Sequence, residues 1–190
     1  EDRPGSGARS LGGEMTVDER FTVRVASPKL RFNAAHFVAF GSDSCEPIHG
    51  HDFRVSVTIE GQLSPTGWIV DFVVLEEILH GIVADFDHAL LIPEASPWVK
   101  VIKNADVIEI TVGARSWRFP SQDCRFLPIP NVTAELLTQY IGMRVREQLL
   151  SRAEGREGRL TTMTVELSEA EGCTASWSCA LARKPDLQDS

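Results

Sequence analysis

The stretch from Cys45 to His51 reads Cys-Glu-Pro-Ile-His-Gly-His, and it restricts which local structure and which kind of site this chain can form. His49 and His51 are two positions apart, and residues i and i+2 of an extended strand point to the same face. Both imidazoles can then reach one metal ion, and His36 upstream can supply a third ligand. Three histidines without a fourth protein ligand are typical of a catalytic zinc. We predict a Zn²⁺ site rather than an iron site, because no carboxylate completes a facial triad.

Two further groups of side chains have the chemistry of an active site. Cys45 precedes His49 in a polar loop, where a thiolate beside a cation and an imidazole can act as nucleophile or base. Glu46 is either a second reactive carboxylate or a loop residue that hydrogen-bonds nearby backbone. Asp87 and His88 are adjacent, and an aspartate can orient a neighbouring imidazole for proton transfer. We predict catalytic roles for all four.

The charge balance excludes several classes of partner. The 190 residues carry a formal net charge of −8, whereas proteins that bind nucleic acid or acidic membranes need a basic surface. A composition with 43% apolar residues can bury a core, and the length fits one domain. No run of residues is typical of a transmembrane helix or a signal peptide, so we predict a cytoplasmic location. The remaining thiols are then reduced packing residues: Cys124, Cys173 and Cys179.

Hydrophobic periodicity predicts an α+β fold. Alternating patterns indicate strands at 21–32, 51–60, 160–168 and 174–182. Helical spacing indicates helices at 72–85 and 133–150, the first capped by Asp71. We expect an antiparallel sheet with both helices on one face.

The segment around 93–130 interrupts this pattern and is interpreted as an insertion. Within it, Gly113-Ala114-Arg115 is bracketed by two apolar stretches, which predicts a β-hairpin. We predict a flexible leader at 1–19, a single domain containing the insertion at 20–183, and a polar tail at 184–190.

Five motifs together resemble the 6-pyruvoyl-tetrahydropterin synthase family, which includes the bacterial 6-carboxytetrahydropterin synthases of the deazaguanine (queuosine) pathway. They occur in the family's order, and the resemblance as a whole covers about residues 21–92 and 128–182. The motifs are Phe32-Asn33-Ala34-Ala35-His36, Cys45-x-x-x-His49-Gly50-His51, Gly67-Trp68-Ile69-Val70-Asp71-Phe72, Phe86-Asp87-His88 and Asn131-Val132-Thr133-Ala134-Glu135.

The resemblance implies a tunnelling fold (T-fold), in which sheets from several subunits form barrels with the helices outside. It implies a homo-oligomer, commonly a hexamer of two trimers, with active sites between subunits. Its substrate would be 7,8-dihydroneopterin triphosphate. The three histidines match the family's zinc ligands and Cys45 its catalytic thiol. Asp87 and His88 match the pair that works with this thiol across the interface.

The resemblance also implies residues that bind the pterin. Thr133 and Glu135 match the start of a helix near the pterin. Glu166 matches the family's anchoring glutamate, although the family usually continues with Thr and this chain has Leu167; Glu169 is the alternative. A buried carboxylate can accept two hydrogen bonds from the guanidine-like edge of a pterin. The triphosphate needs cations, and the candidates are Lys29, Arg31 and Arg54.

The product depends on Cys45 and Glu46. Family members with a glutamate placed as Glu-x-x-His-Gly-His resemble enzymes that form 6-hydroxymethyl-7,8-dihydropterin for folate synthesis, and this chain has both residues. The expected activity is zinc-dependent formation of 6-carboxy-5,6,7,8-tetrahydropterin, with loss of triphosphate and release of acetaldehyde. The alternatives are formation of hydroxymethyl-dihydropterin or 6-pyruvoyl-tetrahydropterin, a non-catalytic zinc-containing pterin-binding module, and a zinc hydrolase with Glu46 as base.

Overall fold

The computed structural model describes residues 19–152 and 158–181. The predicted tail, and the predicted leader apart from residue 19, lie outside the described residues. The strands are β1 (Phe21–Val25), β2 (Arg31–His36), β3 (His49–Gly61), β4 (Ala89–Pro93), β5 (Lys100–Lys103), β6 (Val107–Val112), β7 (Arg115–Pro120), β8 (Cys124–Leu127), β9 (Leu160–Ala170) and β10 (Cys173–Ala180). The α-helices are α1 (Phe72–Ala84) and α2 (Ala134–Arg152).

The main sheet is built around the long strand β3. Its strand order is β10-β9-β3-β2-β4-β8, and β1 also pairs with β3. The segment 21–32, predicted as one strand, is two: β1 pairs with the second half of β3 and β2 with its first half. A turn that contains Pro28 separates them, closed by a hydrogen bond from the Leu30 N–H to the Ser27 carbonyl. Strands β1 and β2 both run antiparallel to β3, so the turn at Pro28 interrupts the strand without reversing the chain.

The sheet is mixed rather than wholly antiparallel. Strands β1, β2, β3, β9 and β10 form antiparallel pairs, as predicted. Strands β4 and β8, which the sequence patterns did not reveal, extend the sheet in parallel beyond β2. All five residues of β4 are buried, and such a short apolar run carries no alternation by which to recognise a strand.

Both helices pack on one face of the main sheet and close the larger core. On β3 the alternating residues Phe53, Val55, Val57 and Ile59 are buried in this core. Helix α1 is preceded by the cap residue Asp71, whose side chain accepts a hydrogen bond from the Val73 N–H at 2.8 Å. The predicted cap is thus confirmed, as is the α+β class with helices on one face.

A separate three-stranded sheet, β5-β6-β7, occupies most of the predicted insertion. Strands β6 and β7 pair antiparallel around Gly113, as the hairpin prediction stated, and β5 adds a third strand. The buried residues of β6 belong to a second apolar cluster that also contains Phe37 and Cys45. Strand β8 returns to the main sheet, so this part of the segment 93–130 is integral to the domain. The interpretation of the segment as an insertion stays a prediction.

Two boundaries differ from the prediction near the candidate site. Strand β2 continues to His36, and β9 continues beyond the predicted end at residue 168 to Ala170, so that Glu169 lies in a strand. None of the helices in the described parts of the chain is long and apolar enough to cross a membrane.

Candidate metal centre and active site

Three imidazoles converge at the end of the β2–β3 pair. Register places His36 directly opposite His49, and His51 follows two residues along β3. The ring centroid of His36 lies 4.7 Å from that of His49 and 5.2 Å from that of His51. One nitrogen from each residue lies within 4.8 Å of the other two. The predicted histidines are therefore brought together and could hold one metal ion.

Backbone carbonyls orient two of these imidazoles. The Nδ1 of His36 lies 2.8 Å from the Val132 carbonyl oxygen, and the Nδ1 of His49 lies 3.0 Å from that of Pro47. A carbonyl can only accept, so Nδ1 carries the hydrogen in each ring and Nε2 keeps a free lone pair. Such outer contacts are typical of histidines that bind metal.

The Nε2 of His36 is buried and has no hydrogen-bond partner. His36 is only 3% exposed, and a buried polar atom without a partner is costly unless a metal ion or another group binds it. Burial lowers the pKa of His36, and the neighbouring histidines lower it further, whereas the hydrogen bond to Val132 and the charge of Glu169 raise it. A neutral imidazole is the form that binds a metal, so this site fits a metal ion.

Asp87 and His88 form an oriented pair at the start of β4. The Oδ1 of Asp87 accepts a hydrogen bond from the Asn33 N–H at 2.8 Å, and its Oδ2 lies 2.9 Å from the Nδ1 of His88. The Asn33 bond is the main reason that the pKa of Asp87 is lowered, and His88 lowers it further. His88 has a φ of 57°, and its side chain is 78% exposed. The imidazole is therefore held by an ionised carboxylate and presented to the outside.

The pair does not meet Cys45 within the chain. Across residues 19–152 and 158–181, no hydrogen bond or ring contact joins His88 to Cys45 or to the three histidines. Cys45 is 7% exposed and packs in the second apolar cluster. Glu46 is half-buried, and its Oε2 accepts a hydrogen bond from the Val38 N–H at 3.3 Å. The polar surroundings expected for Cys45 are absent, because the three-stranded sheet contributes apolar side chains to its cluster.

The two glutamates considered as pterin ligands lie in different places. Glu166 pairs with Ser56 across the strands, on the sheet face opposite the helices, and binds the Arg24 guanidinium at 2.7 Å. Glu169 is the residue of β9 that lacks a partner at the β-bulge against β10. Its charge acts on His36. Bulges are frequent next to active sites, where they redirect a side chain. The geometry therefore favours Glu169 over Glu166.

The helix start at Thr133 lies beside the histidines. The Oγ1 of Thr133 accepts a hydrogen bond from the Leu136 N–H at 3.3 Å and so caps α2. The preceding residue, Val132, supplies the carbonyl that orients His36. Glu135 is exposed in the first turn of α2. The structure thus places both predicted pterin contacts near the histidines through their position on α2.

The candidate phosphate-binding cations are not at the histidine cluster. Arg31 and Arg54 are cross-strand neighbours on the face opposite Phe32 and Phe53, and both lie near the Asp52 carboxylate. They line a cavity of about 480 Å³ together with Arg24 and Glu166. Lys29 is exposed in the turn before β2. In one chain these cations could reach a ligand only on the outer face of the sheet.

Asn131 is a residue whose role the sequence patterns did not reveal. Its Oδ1 accepts hydrogen bonds from the N–H groups of Ala39 and Val132, both at 3.1 Å, and its Nδ2 donates to the Ala39 carbonyl at 2.9 Å. It thereby ties the segment that leads to Cys45 to the residue that orients His36. The signals were its place in a family motif and its position just before a predicted helix, where polar residues usually act as caps.

The remaining cysteines differ from one another. Cys124 is buried and Cys179 is half-buried, and in both cases burial raises the pKa of the thiol. Cys173 is exposed at the start of β10, so its prediction as a packing residue is wrong. It follows a tight turn, where no neighbouring element covers it.

Comparisons with known proteins show which family this chain resembles. The family model for 6-pyruvoyl tetrahydropterin synthase matches residues 26–179. A candidate 6-carboxy-5,6,7,8-tetrahydropterin synthase of Pyrococcus horikoshii is 36% identical over 117 residues, which are 61% of this chain and 69% of that protein. The dihydroneopterin monophosphate aldolase of Pyrococcus furiosus is 37% identical over 60 residues, or 32% and 50% of the two chains.

Solved structures show the same architecture. The 6-pyruvoyl tetrahydropterin synthase of Plasmodium vivax superposes with a TM-score of 0.80 at 28% identity, covering 86% of this chain and 99% of that one. A mutant of that protein, in which a catalytic glutamate is replaced by alanine, superposes equally well. The fold is therefore the T-fold of these proteins, as predicted. The chain belongs to the 6-pyruvoyl tetrahydropterin synthase family.

Proposed function

We propose that this protein is a zinc-dependent enzyme that converts 7,8-dihydroneopterin triphosphate to 6-carboxy-5,6,7,8-tetrahydropterin, in the queuosine pathway. The observation that carries the proposal is the convergence of three imidazoles around the unpartnered Nε2 of His36. The relative from Pyrococcus horikoshii, named for this product, supports the choice of reaction.

The three histidines suit zinc and leave a coordination position for the substrate. Bound zinc would supply Lewis acidity that lowers the pKa of a substrate hydroxyl and stabilises a developing carbonyl oxygen. Around it, the chain's own groups bind the pterin and move protons. Cys45 and Glu46 are the proton-transfer groups carried by the loop before β3, and His88, held by Asp87, is the third.

Glu169 is proposed as the carboxylate that binds the pterin, in place of Glu166. A ligand bound to the metal site has to lie beside His36, and the charge of Glu169 acts at this position. Glu166 is instead engaged by Arg24 and Ser56 on the outer face. Thr133 and Glu135, at the start of α2, would contact the same ligand, because they follow Val132, whose carbonyl orients His36.

The exposed His88 supports an active site shared between subunits. Its imidazole is held by Asp87 and is 78% exposed, while Cys45 is buried in the second apolar cluster. A neighbouring copy could bring its His88 to this chain's metal site, as the family resemblance implies for a hexamer of two trimers. In such an assembly Arg31 and Arg54, on the outer face, could also approach a neighbour's substrate.

The test is the mass of the product formed from 7,8-dihydroneopterin triphosphate by the zinc-loaded protein. We expect the mass of carboxy-tetrahydropterin, with acetaldehyde released in equal amount. Absence of turnover by a protein that retains zinc would contradict the proposal and favour a pterin-binding module.

A second candidate activity is cleavage to 6-hydroxymethyl-7,8-dihydropterin. One observation favours it: Cys45 is buried among apolar side chains, whereas the adjacent Glu46 is less buried and has a polar partner. The Plasmodium vivax protein uses a catalytic glutamate, and the Pyrococcus furiosus relative is named as an aldolase. The two activities are separated by paired variants, because Cys45→Ala should abolish the first product and Glu46→Gln the second.

A further inference from the structure

We propose that the three-stranded sheet β5-β6-β7 positions the segment that carries Cys45 and Glu46, and that Gly113 makes the contact on which this depends. The expected effect on catalysis rests on the proposed function, whereas the positioning of the loop does not. Gly113 is a positioning residue, since it acts through the backbone of the loop.

The segment 38–46 is a short hairpin with few bonds of its own. The Phe40 N–H donates to the Ser44 carbonyl and the Glu46 N–H to the Val38 carbonyl, each at 2.9 Å, with Ala39 and Cys45 paired between them. A two-stranded hairpin of this size has little independent stability in water. Its position must therefore come from what packs against it.

One side of this hairpin is covered by the three-stranded sheet. Ala39 and Cys45 share the second apolar cluster with the buried side chains of β6, namely Ile108, Ile110 and Val112. Next to the hairpin, the Phe37 and Trp117 rings stack with centroids 5.6 Å apart. Phe37 directly follows His36, so the same packing reaches the metal site. The cover leaves the Cys45 thiol nearly inaccessible.

The other contact is made by the tip of the β6–β7 hairpin. Gly113 has a φ of 54°, and a Cβ built on it would lie 2.6 Å from the Asp43 carbonyl oxygen. The obstructing atoms are backbone atoms, so they cannot swing away as a side chain would. Any residue other than glycine would push the loop at Asp43 away from the sheet, two residues before Cys45.

Alkylation of Cys45 measures this positioning directly. In Gly113→Ala, with zinc bound, we expect iodoacetamide labelling of Cys45 to accelerate by about tenfold, because a clash of this kind raises the population of the displaced loop. The matched control is Gly67→Ala: Gly67 also has a positive φ, of 87°, but nothing lies within 4 Å of its Cβ position. Its labelling should stay within about twofold of the wild type, since only backbone strain is added.

Cys124 separates displacement of the loop from loss of the sheet. It belongs to the same apolar cluster but lies on β8 of the main sheet. Peptide mapping should show faster labelling at Cys45 alone. Equal acceleration at both thiols, or no acceleration at Cys45, would overturn the proposal. If Gly113→Ala does not fold, Trp117→Ala removes the ring that stacks on Phe37 without adding atoms, and the same labelling pattern is expected.

Two further readouts tie the loop to catalysis. Zinc content should not change in Gly113→Ala, because its ligands lie on β2 and β3. Its kcat should fall about tenfold while KM changes less than about twofold, as expected when proton-transfer groups rather than binding groups are displaced. If the wild type does not turn over the triphosphate substrate, the proposed function fails, and the labelling result still decides the positioning proposal.

Discussion

The two ring nitrogens of His36 differ in their partners, and this difference indicates a role as a metal ligand. Nδ1 is committed to the Val132 carbonyl, and the buried Nε2 has no partner in the protein. A residue that only filled space at this position would leave no nitrogen unsatisfied. The metal is thus expected to be part of the stable state of this end of the β2–β3 pair.

Removal of His36 should remove the metal. We expect His36→Ala to bind zinc far below one ion per chain after dialysis against buffer, because two imidazoles and water hold zinc weakly. Elemental analysis by mass spectrometry measures the content. The control is His80→Ala, on α1 and outside the histidine cluster, which should bind as much zinc as the wild type. Full zinc content in His36→Ala would contradict the assignment.

Glu169 and Glu166 can be separated by isosteric replacement. Glu169→Gln should raise the KM for the pterin substrate by about tenfold or more, because a buried charge-assisted pair of hydrogen bonds contributes about 1.5–3 kcal/mol. Glu166→Gln should change KM by less than about twofold, since it loses only a half-exposed ion pair with Arg24. The reverse ranking would restore Glu166 as the ligand of the pterin.

Asn131 should matter for both stability and metal affinity. Asn131→Ala leaves the Ala39 N–H and carbonyl without partners in a buried site, at a cost of about 2 kcal/mol in the free energy of unfolding. We also expect the zinc dissociation constant to rise about tenfold, as when an outer partner of a ligand is lost. Urea unfolding and competition with a chelator measure the two effects. The exposed Asn104→Ala is the control, and equal effects there would refute the role.

At this scale the sequence predicted the grouping of the three histidines better than the residues around them. The spacing of His49 and His51 requires only that β3 is extended, which its alternation shows. The hydrogen bonds of Asn131 span 92 residues, and the unpaired position of Glu169 depends on a β-bulge. Neither is a local property of the chain.

Among the elements, those with one exposed face were predictable. Strand β3 and helix α1 alternate or repeat between buried and exposed positions, so their patterns revealed them. Strand β4 is buried on both faces and β5 is short and mostly exposed, so neither carries a period. Pro28 alone did not show that the segment forms two strands. The division became evident from the separate pairing of β1 and β2 with β3.

The Asp71 cap gives an element-level prediction. Asp71→Ala should lower the free energy of unfolding by about 1 kcal/mol, because the Val73 N–H loses its acceptor at the start of α1. Urea denaturation measures the change. Glu76→Ala, exposed on the same helix, should stay within about 0.5 kcal/mol of the wild type. A cap variant as stable as this control would show that water replaces the carboxylate at no cost.

For the whole molecule, the separation of His88 from Cys45 predicts complementation between subunits. Cys45→Ala and His88→Ala should each be inactive alone. Co-expressed in equal amounts, they should recover about a quarter of the wild-type activity, because each shared site then has one chance in four of drawing both intact residues from two chains. Activity per mixed oligomer, purified by two different tags, measures this. No recovery would place both residues of a site in one chain.

The sequence by itself determined the class of fold, the three histidines and the family, because these depend on local periodicity and on spacing along one strand. Only the tertiary structure decided that Glu166 binds Arg24 on the outer face, how Cys45 is buried and what packs against its loop. These depend on β9 and on the β6–β7 hairpin, which meet the site from distant parts of the chain. Packing between remote segments has no local pattern, so it becomes visible only when the chain is folded.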